Sequence, residues 1–277
     1  VAGKLSDSVA VVTGATRGLG KAIALALGAA GATVYVTGRS EQTGDIPGTL
    51  HETAAAVSAA GGHGVPVRCD HSDDAQIDQL FDRVGHEAGR LDLLINNAFP
   101  SGAVTSAIGL RFWEHDLSVW DDIMGVGLRS HFVASRHAVA AMSGSGGLIV
   151  NVSSAGAKRY AYGAAYGVGK AGFDKFTSDA AIELAGTGIS IVSLWPGVTQ
   201  TEMLDHLRRE GDARLETLLH GVPTPVPSHV VGDAVVSLAL DREVARFSGT
   251  HLSVKQLNEH YAGRVDLFDG RQPLATS

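Results

Sequence analysis

Tyr166 and Lys170 stand four residues apart in Ala165-Tyr166-Gly167-Val168-Gly169-Lys170. On a helix, side chains at i and i+4 share one face. An ammonium beside a phenol favours the phenolate and draws the phenol pKa down from about 10. A phenol tuned in that way can give or take a proton at a carbonyl or alcohol oxygen. The spacing alone is common, and a half-buried tyrosine beside a solvated lysine has the same pattern. What surrounds the pair decides between these readings.

Val9-Ala10-Val11-Val12 is a short apolar run that predicts a strand buried on both faces. It leads into Thr13-Gly14-Ala15-Thr16-Arg17-Gly18-Leu19-Gly20. Lys21 to Ala30 predicts a helix, and Thr33 to Thr37 a second strand. Strand, glycine loop, helix and strand make a βαβ unit. Its glycines let backbone approach a pyrophosphate, and the helix start offers free N–H groups. Placed there, the loop predicts a dinucleotide site rather than a turn that needs glycine only for its backbone angles.

NAD-binding units commonly carry an acid at the end of the second strand, for the ribose 2′-OH. This chain has Thr37-Gly38-Arg39-Ser40 there, with no carboxylate before Glu41. A 2′-phosphate needs cationic donors, and guanidinium suits it. Arg17 and Arg39 are placed to supply them, so NADP(H) is expected over NAD(H). Two solvated surface arginines are the alternative.

Further strands are predicted at 65–70, 91–95, 148–152, 189–194 and 249–254. Helices are predicted at 76–88, 165–183 and 230–240, with 202–221 charged and helical. The strand at 148–152 ends in Ser153-Ser154, where a hydroxyl can steady charge growing on a substrate oxygen. The connection from Pro100 to Trp120 is long and carries Phe112, Trp113 and Trp120. Long loops are often functional, so it is read as substrate wall or subunit contact, with packing on the sheet edge an equal rival.

Thr-Gly-x-x-x-Gly-x-Gly followed much later by Tyr-x-x-x-Lys resembles the short-chain dehydrogenase/reductase family. The resemblance runs from about Leu5 to Pro273. Tyr166-Gly167-Val168-Gly169-Lys170, Leu194-Trp195-Pro196-Gly197 and the tail 265–271 are similar to the subgroup named for dehydrogenase/reductase family member 1. It implies one α/β domain over 1–277: a Rossmann-type doubly wound parallel sheet of about seven strands with helices on both faces. A lid at about 200–228 and an extended C-terminal tail are implied with it.

The resemblance also assigns roles. Tyr166 becomes general acid in reduction and general base in oxidation. Lys170 lowers its pKa and binds the nicotinamide ribose. Ser154 or Ser153 completes the catalytic set. Matching Asn-x-Ser-Ser favours Ser154, whereas counting back thirteen residues from Tyr166 lands on Ser153. Ser154 is preferred, because the strand end fixes position more tightly than the loop after it. Cofactor contacts are implied at Gly14, Thr16, Arg17, Gly18, Leu19, Gly20, Arg39, Asp70, Asn97, Ala98, Pro196, Gly197, Val198 and Thr201, besides Tyr166 and Lys170. Two departures stand out. Phe99 replaces the last glycine of Asn-Asn-Ala-Gly, and Gly127 stands where most relatives carry an asparagine that holds a water near the lysine.

The remaining features narrow the field. The chain has 277 residues, 44% apolar, with 22 basic and 29 acidic side chains for a formal charge of −7. That balance argues against a nucleic-acid binder. No apolar run is long enough to cross a bilayer. A single cysteine, Cys69, fits a reducing compartment, and the cytoplasm is expected. Twelve histidines form no metal-binding motif, so no metal is expected. The expected activity is hydride transfer between NADP(H) and a carbonyl or alcohol, in a homodimer or homotetramer. Rivals are a cofactor-binding sensor that has lost the chemistry, and a lyase or epimerase. Phe99, Phe112, Trp113 and Trp195 suggest a bulky, lipophilic ketone as substrate.

Overall fold

The computed structural model describes residues 3–262 except 220, 221 and 223. The tail 265–271 lies outside them. Seven strands form one sheet: β1 (Val9–Val12), β2 (Thr33–Gly38), β3 (His63–Arg68), β4 (Leu93–Asn96), β5 (Gly147–Val152), β6 (Ile189–Trp195) and β7 (His251–Ser253). They lie in the order β3-β2-β1-β4-β5-β6-β7, and every pair is parallel. The fold is thus the expected doubly wound Rossmann-type sheet.

Alternation along the strands divides the core in two. Ala10 and Val12 of β1 pack with Ile23 and Leu27 of α1 (Gly18–Ala29), Val57 of α2 (Leu50–Ala59) and Val235 of α10 (Ser228–Leu240). Val9 and Val11 face the other way, onto Ile77 and Leu80 of α3 (Asp74–Ala88) and Val133 and Ala138 of α6 (Ser130–Ala141). Both faces are therefore covered, as a parallel sheet requires. Strand order reverses between β1 and β4, which opens a crevice beyond their carboxyl ends.

Several bounds differ from expectation for physical reasons. β3 starts at His63, because it pairs with the whole of β2 from Thr33. Pro66 is tolerated inside it because β3 lies at the sheet edge. Besides α6 and the helices of the long connection, two more went unpredicted, α2 and α11 (Val254–Tyr261). Each starts with a capping box, Thr49 with Glu52 and Ser253 with Gln256. The segment expected as one helix after Thr201 is two, α8 (Glu202–Arg209) and α9 (Arg214–Leu219), broken at Gly211 with φ +64°.

The long connection folds into α4 (Ser101–Ala107) and the start of α5 (Leu117–Met124). Phe112 and Trp113 between them meet edge to face at 5.0 Å and stand about two-thirds exposed, at 66% and 64%. They neither wall the crevice nor pack on the sheet edge. Leucine and valine faces thus set the layers, whereas the crevice depends on close backbone approach. Gly20 shows this: a Cβ there would lie 2.4 Å from the Gly14 carbonyl oxygen and 2.5 Å from Asn97 Nδ2. Gly20→Ala should cost about 1–3 kcal/mol of unfolding free energy in urea titration, as overpacking does.

Candidate active site

The crevice is built first by backbone. Thr13, just past β1, uses its hydroxyl three times. It donates to the Ile95 carbonyl at 3.2 Å and accepts from the N–H groups of Asn97 and Ala98 at 2.8 and 2.9 Å. Asn97 Nδ2 donates back to the carbonyls of Thr13 and Gly14 at 2.8 and 3.0 Å. The ends of β1 and β4 are thereby tied. Gly14, at φ +63°, lies so close to Ala98 that a Cβ would sit 2.8 Å from the Ala98 Cα. Gly18, at φ +60°, opens α1.

The α1 start already holds an anion. The Glu202 carboxylate, from the first turn of α8, accepts from the Gly18 N–H at 2.7 Å, and Lys21 lies 3.6 Å from it. Free N–H groups at a helix start favour negative charge, so this carboxylate stands where a pyrophosphate would be drawn. At the end of β2, Arg17 donates to the Ser40 hydroxyl and the Gly48 carbonyl, both at 3.1 Å. Thr16 packs under Gly38, where a Cβ would meet its methyl at 3.0 Å. Arg39 is mostly exposed and lies 3.6 Å from Asp70. Glu41 pairs instead with Arg68, at 3.5 Å. Two guanidinium groups and no unpaired carboxylate flank this point, and that donor set fits a 2′-phosphate. Burial raises the Asp70 pKa, but the Ser72 N–H, the Ser72 hydroxyl and Arg39 outweigh it and hold the carboxyl below its usual range.

Leu19, Asn97, Ser154, Tyr166, Lys170, Pro196, Gly197, Val198 and Thr201 all line one cavity of about 590 Å³. Gly14, Thr16, Arg17, Gly18, Gly20, Arg39, Asp70 and Ala98 lie outside that lining, along the glycine loop and the β2, β3 and β4 ends. Trp195, suggested above for the pocket, is absent from it. Its indole N–H donates to the Asp174 carboxylate at 3.1 and 3.3 Å, and its ring stacks on His251.

Tyr166 and Lys170 lie on α7 (Ala164–Glu183), as their spacing predicts. The Tyr166 hydroxyl donates to Ser154 Oγ at 2.9 Å. Ser154 Oγ also accepts from the Gly156 N–H at 3.0 Å. Ser153 turns the other way, donating to the Lys170 carbonyl at 3.2 Å. The structure thus places Ser154, not Ser153, against the phenol.

One expectation is corrected. The lysine does not lower the phenol pKa here. Burial pushes Tyr166 up, the Ser154 hydrogen bond opposes this only in part, and the phenol is neutral near pH 7. The reason is geometric. Lys170 Nζ donates to the Val152 carbonyl at 3.0 Å and lies 5.8 Å from the centre of the Tyr166 ring. Burial acts on the lysine as well, drawing its pKa down to about 7 against a pull upward from Asp174.

Two site residues were missed, and the place of a third was not foreseen. Tyr162 is the one described non-glycine residue with positive φ, at +56°. Its ring meets Tyr166 edge to face at 5.0 Å, and its hydroxyl donates to the Leu218 carbonyl of α9 at 2.8 Å. Glu202 read only as part of a charged helix. Phe99 was noticed as a departure, but nothing in its spacing shows that its ring lies on the Lys170 ammonium.

Similarity to known proteins agrees with this arrangement. Residues 8–212 match the family model for short chain dehydrogenase. The human protein Dehydrogenase/reductase SDR family member 1 is 41% identical over 278 residues, covering 98% of this chain and 86% of that protein. Among solved structures, angucycline C-6 ketoreductase LanV with bound NADP has a TM-score of 0.78 at 26% identity, covering 92% of this chain and 96% of that one. A Burkholderia cenocepacia short chain dehydrogenase in complex with NADP has 0.76 at 27%, covering 90% and 97%. The chain belongs to the short-chain dehydrogenase/reductase family, whose members are nicotinamide-cofactor oxidoreductases. Among the described residues, no helix is long and apolar enough to cross a membrane, and no group of three or more His, Cys, Asp or Glu could hold a metal ion.

The buried lysine carries a stability consequence. Its folded pKa, about 7, lies below its ordinary 10.5. The folded state therefore bears the penalty in full below about pH 7 and sheds it as pH rises from 7 towards 10.5. Lys170→Met leaves one carbonyl without its donor but removes that penalty. It should raise unfolding free energy by about 1–3 kcal/mol at pH 6, and by less at pH 9, in urea titrations of both proteins.

Proposed function

We propose that this chain is an NADP(H)-dependent reductase of bulky ketones that also oxidises the corresponding secondary alcohols. The observation that carries the reading is the Tyr166 hydroxyl donating to Ser154 Oγ at 2.9 Å on the wall of the cavity. A neutral phenol suits a group that must give a proton to a carbonyl oxygen. Ser154 holds the same oxygen through its hydroxyl and steadies the charge that grows there. Lys170 keeps a positive charge close by, which favours the phenolate left after the proton has gone once the ammonium is drawn towards the phenol oxygen. NADP(H) supplies or accepts the hydride.

Around that cofactor the chain's residues have distinct tasks. The α1 start, from Gly18 to Gly20, draws the pyrophosphate, and Glu202 must give up the Gly18 N–H for it. Arg17 and Arg39 meet the 2′-phosphate. Asp70, Asn97 and Ala98 border the adenosine. Pro196, Gly197, Val198 and Thr201 border the nicotinamide, with the Val198 backbone and Thr201 side chain on its carboxamide. Bound NADP in LanV and in the Burkholderia protein supports this choice of cofactor.

Substrate enters over an apolar wall that includes Phe99, Tyr162, Leu204, Leu207 and Leu218. A wall of that kind in about 590 Å³ suits a lipophilic, ring-bearing ketone. The similarity to LanV, an angucycline C-6 ketoreductase, points the same way. Phe132, Val168 and Ile182 stand exposed on the outer faces of α6 and α7 at 49%, 48% and 76%. A homodimer or homotetramer would form through them. Cys69, buried and the single cysteine, supports a cytoplasmic setting.

Loss of NADPH absorbance against a panel of cyclic and steroid-like ketones tests the activity. Tyr166→Phe should lower kcat by about a thousandfold or more while NADPH binding, followed by fluorescence, stays within about threefold. Turnover by Tyr166→Phe at the parent rate would reject the mechanism. Binding without turnover of any ketone would favour a sensor. Arg39→Asp should lower kcat/KM for NADPH relative to NADH by about tenfold or more. An unchanged ratio would return the coenzyme choice to the other residues.

A further inference from the structure

Lys170 is buried, and its charge is not explained by hydrogen bonding. Its one described hydrogen bond goes to the Val152 carbonyl at 3.0 Å. An ammonium has three donors and no acceptor. Its other neighbours are aromatic. Nζ lies 3.9 Å from the centre of the Phe99 ring and 5.3 Å from that of Phe173. The Phe99 contact is well inside the roughly 6 Å within which a ring face attracts a cation, and burial strengthens that attraction.

Phe99 can lie there only because Gly127 is a glycine. Gly127 is buried in a single turn of π-helix, Gly125–Arg129, between α5 and α6. A Cβ on it would stand 2.8 Å from Phe99 Cε2 and 3.2 Å from Cδ2. The first approach is closer than real Cβ atoms come and the second is tight, so the ring, wedged against Lys170, would have to shift. Phe99 also meets Tyr166 edge to face, with ring centres 5.7 Å apart. One side chain thus touches both members of the catalytic pair and borders the cavity.

We propose that Phe99, seated in the space that Gly127 leaves open, is a positioning residue that keeps the Lys170 ammonium charged and in place by laying its ring face on it. The inference deepens the reductase reading and rests on it for the role of Lys170. The two departures from the family pattern are then one device, a large ring at 99 and the absence of a side chain at 127. Other titratable groups face the ammonium. Asp174 on its own helix favours its charge, and Tyr166 is a neutral phenol. His131 of α6, stacked on Phe173, is kept neutral by burial. Against a pKa that burial draws down to about 7, loss of the ring moves the lysine to neutral under working conditions.

The test reads the lysine directly. The unliganded protein is labelled with 13C at the lysine ε carbon, and the Lys170 resonance is assigned from its loss in Lys170→Met. Phe99→Leu keeps an apolar side chain and removes the π face. Its Lys170 titration midpoint should fall by about one pH unit, a tenfold loss of the charged form, whereas Phe99→Tyr should stay near the parent. Gly127→Ala displaces the ring from the other side and should lower the midpoint too, with less than additive effect when combined with Phe99→Leu. In turnover, kcat/KM should begin to fall at a correspondingly lower pH. Equal midpoints in the parent, Phe99→Leu and Gly127→Ala would overturn the proposal and leave Phe99 as cavity wall. Failure of the reductase reading would show differently, as no turnover in the parent, with the midpoints still deciding the role of Phe99.

Discussion

An ammonium held out of solvent must be satisfied by something other than bulk water, and the rest of the site is arranged around that constraint. Lys170 reaches the carbonyl of Val152 at the end of β5, which fixes α7 against that strand. Tyr166, one turn earlier, is thereby set on the cavity side, with its hydroxyl on Ser154. Ser153 ties the lysine's own carbonyl from beneath. Asp174, a turn further on, is itself held by Ser193 at 2.6 Å and by Trp195. Charge, strand end and helix are one connected unit, so small changes around the lysine should reach the phenol.

Burial also settles a competition between two effects. A nearby cation lowers a phenol pKa, and desolvation raises it. In this structure desolvation wins at Tyr166, because the cation points to a carbonyl rather than to the phenol oxygen. The two titrations are pushed towards each other's opposite: the acid is made weaker, and the cation easier to neutralise. A protein arranged in that way keeps its phenol protonated, with a proton to give but a stronger hold on it. It becomes ready to accept one only when something draws the ammonium and the phenol oxygen together.

Much of the fold was legible because a parallel sheet buried on both faces writes itself as apolar runs. Most of the strands were marked by such runs, though not β7, whose segment Gly249-Thr250-His251-Leu252-Ser253-Val254 is mixed, and bounds erred by a few residues where pairing, not hydrophobicity, decides the end. Helix α2 was missed because its signal is a capping box and small residues rather than an apolar stripe: Thr49, Glu52 and an alanine-rich turn. Gly211 split the segment after Thr201 where a charged run reads as continuous helix. The site was legible where chemistry depends on spacing along one element, as for Tyr166 and Lys170, or on a loop between two elements, as for Gly14 to Gly20. It was not legible where function depends on contact across elements. Phe99, Gly127 and Lys170 come from three separate segments, and only their packing shows that the first two are complementary. Phe112 and Trp113 are the converse, since their composition suggests a pocket and their position denies it.

Helix α8 and the glycine loop are joined by the same economy of donors. Gly18 has a single N–H, and the Glu202 carboxylate occupies it. Thr201, immediately before, caps α8 by accepting from the Leu204 N–H, so the α8 start is fixed against the α1 start. An anion that takes the Gly18 N–H displaces the carboxylate of Glu202, a first-turn residue of α8. Leu204 and Leu207, on that helix, are part of the apolar wall. Leu218 on α9, held by the strained Tyr162, is another part, and Tyr162 lies against Tyr166. The α1 start at one end of the crevice and the apolar wall at the other are thus joined by a chain of contacts through a helix turn and two tyrosines.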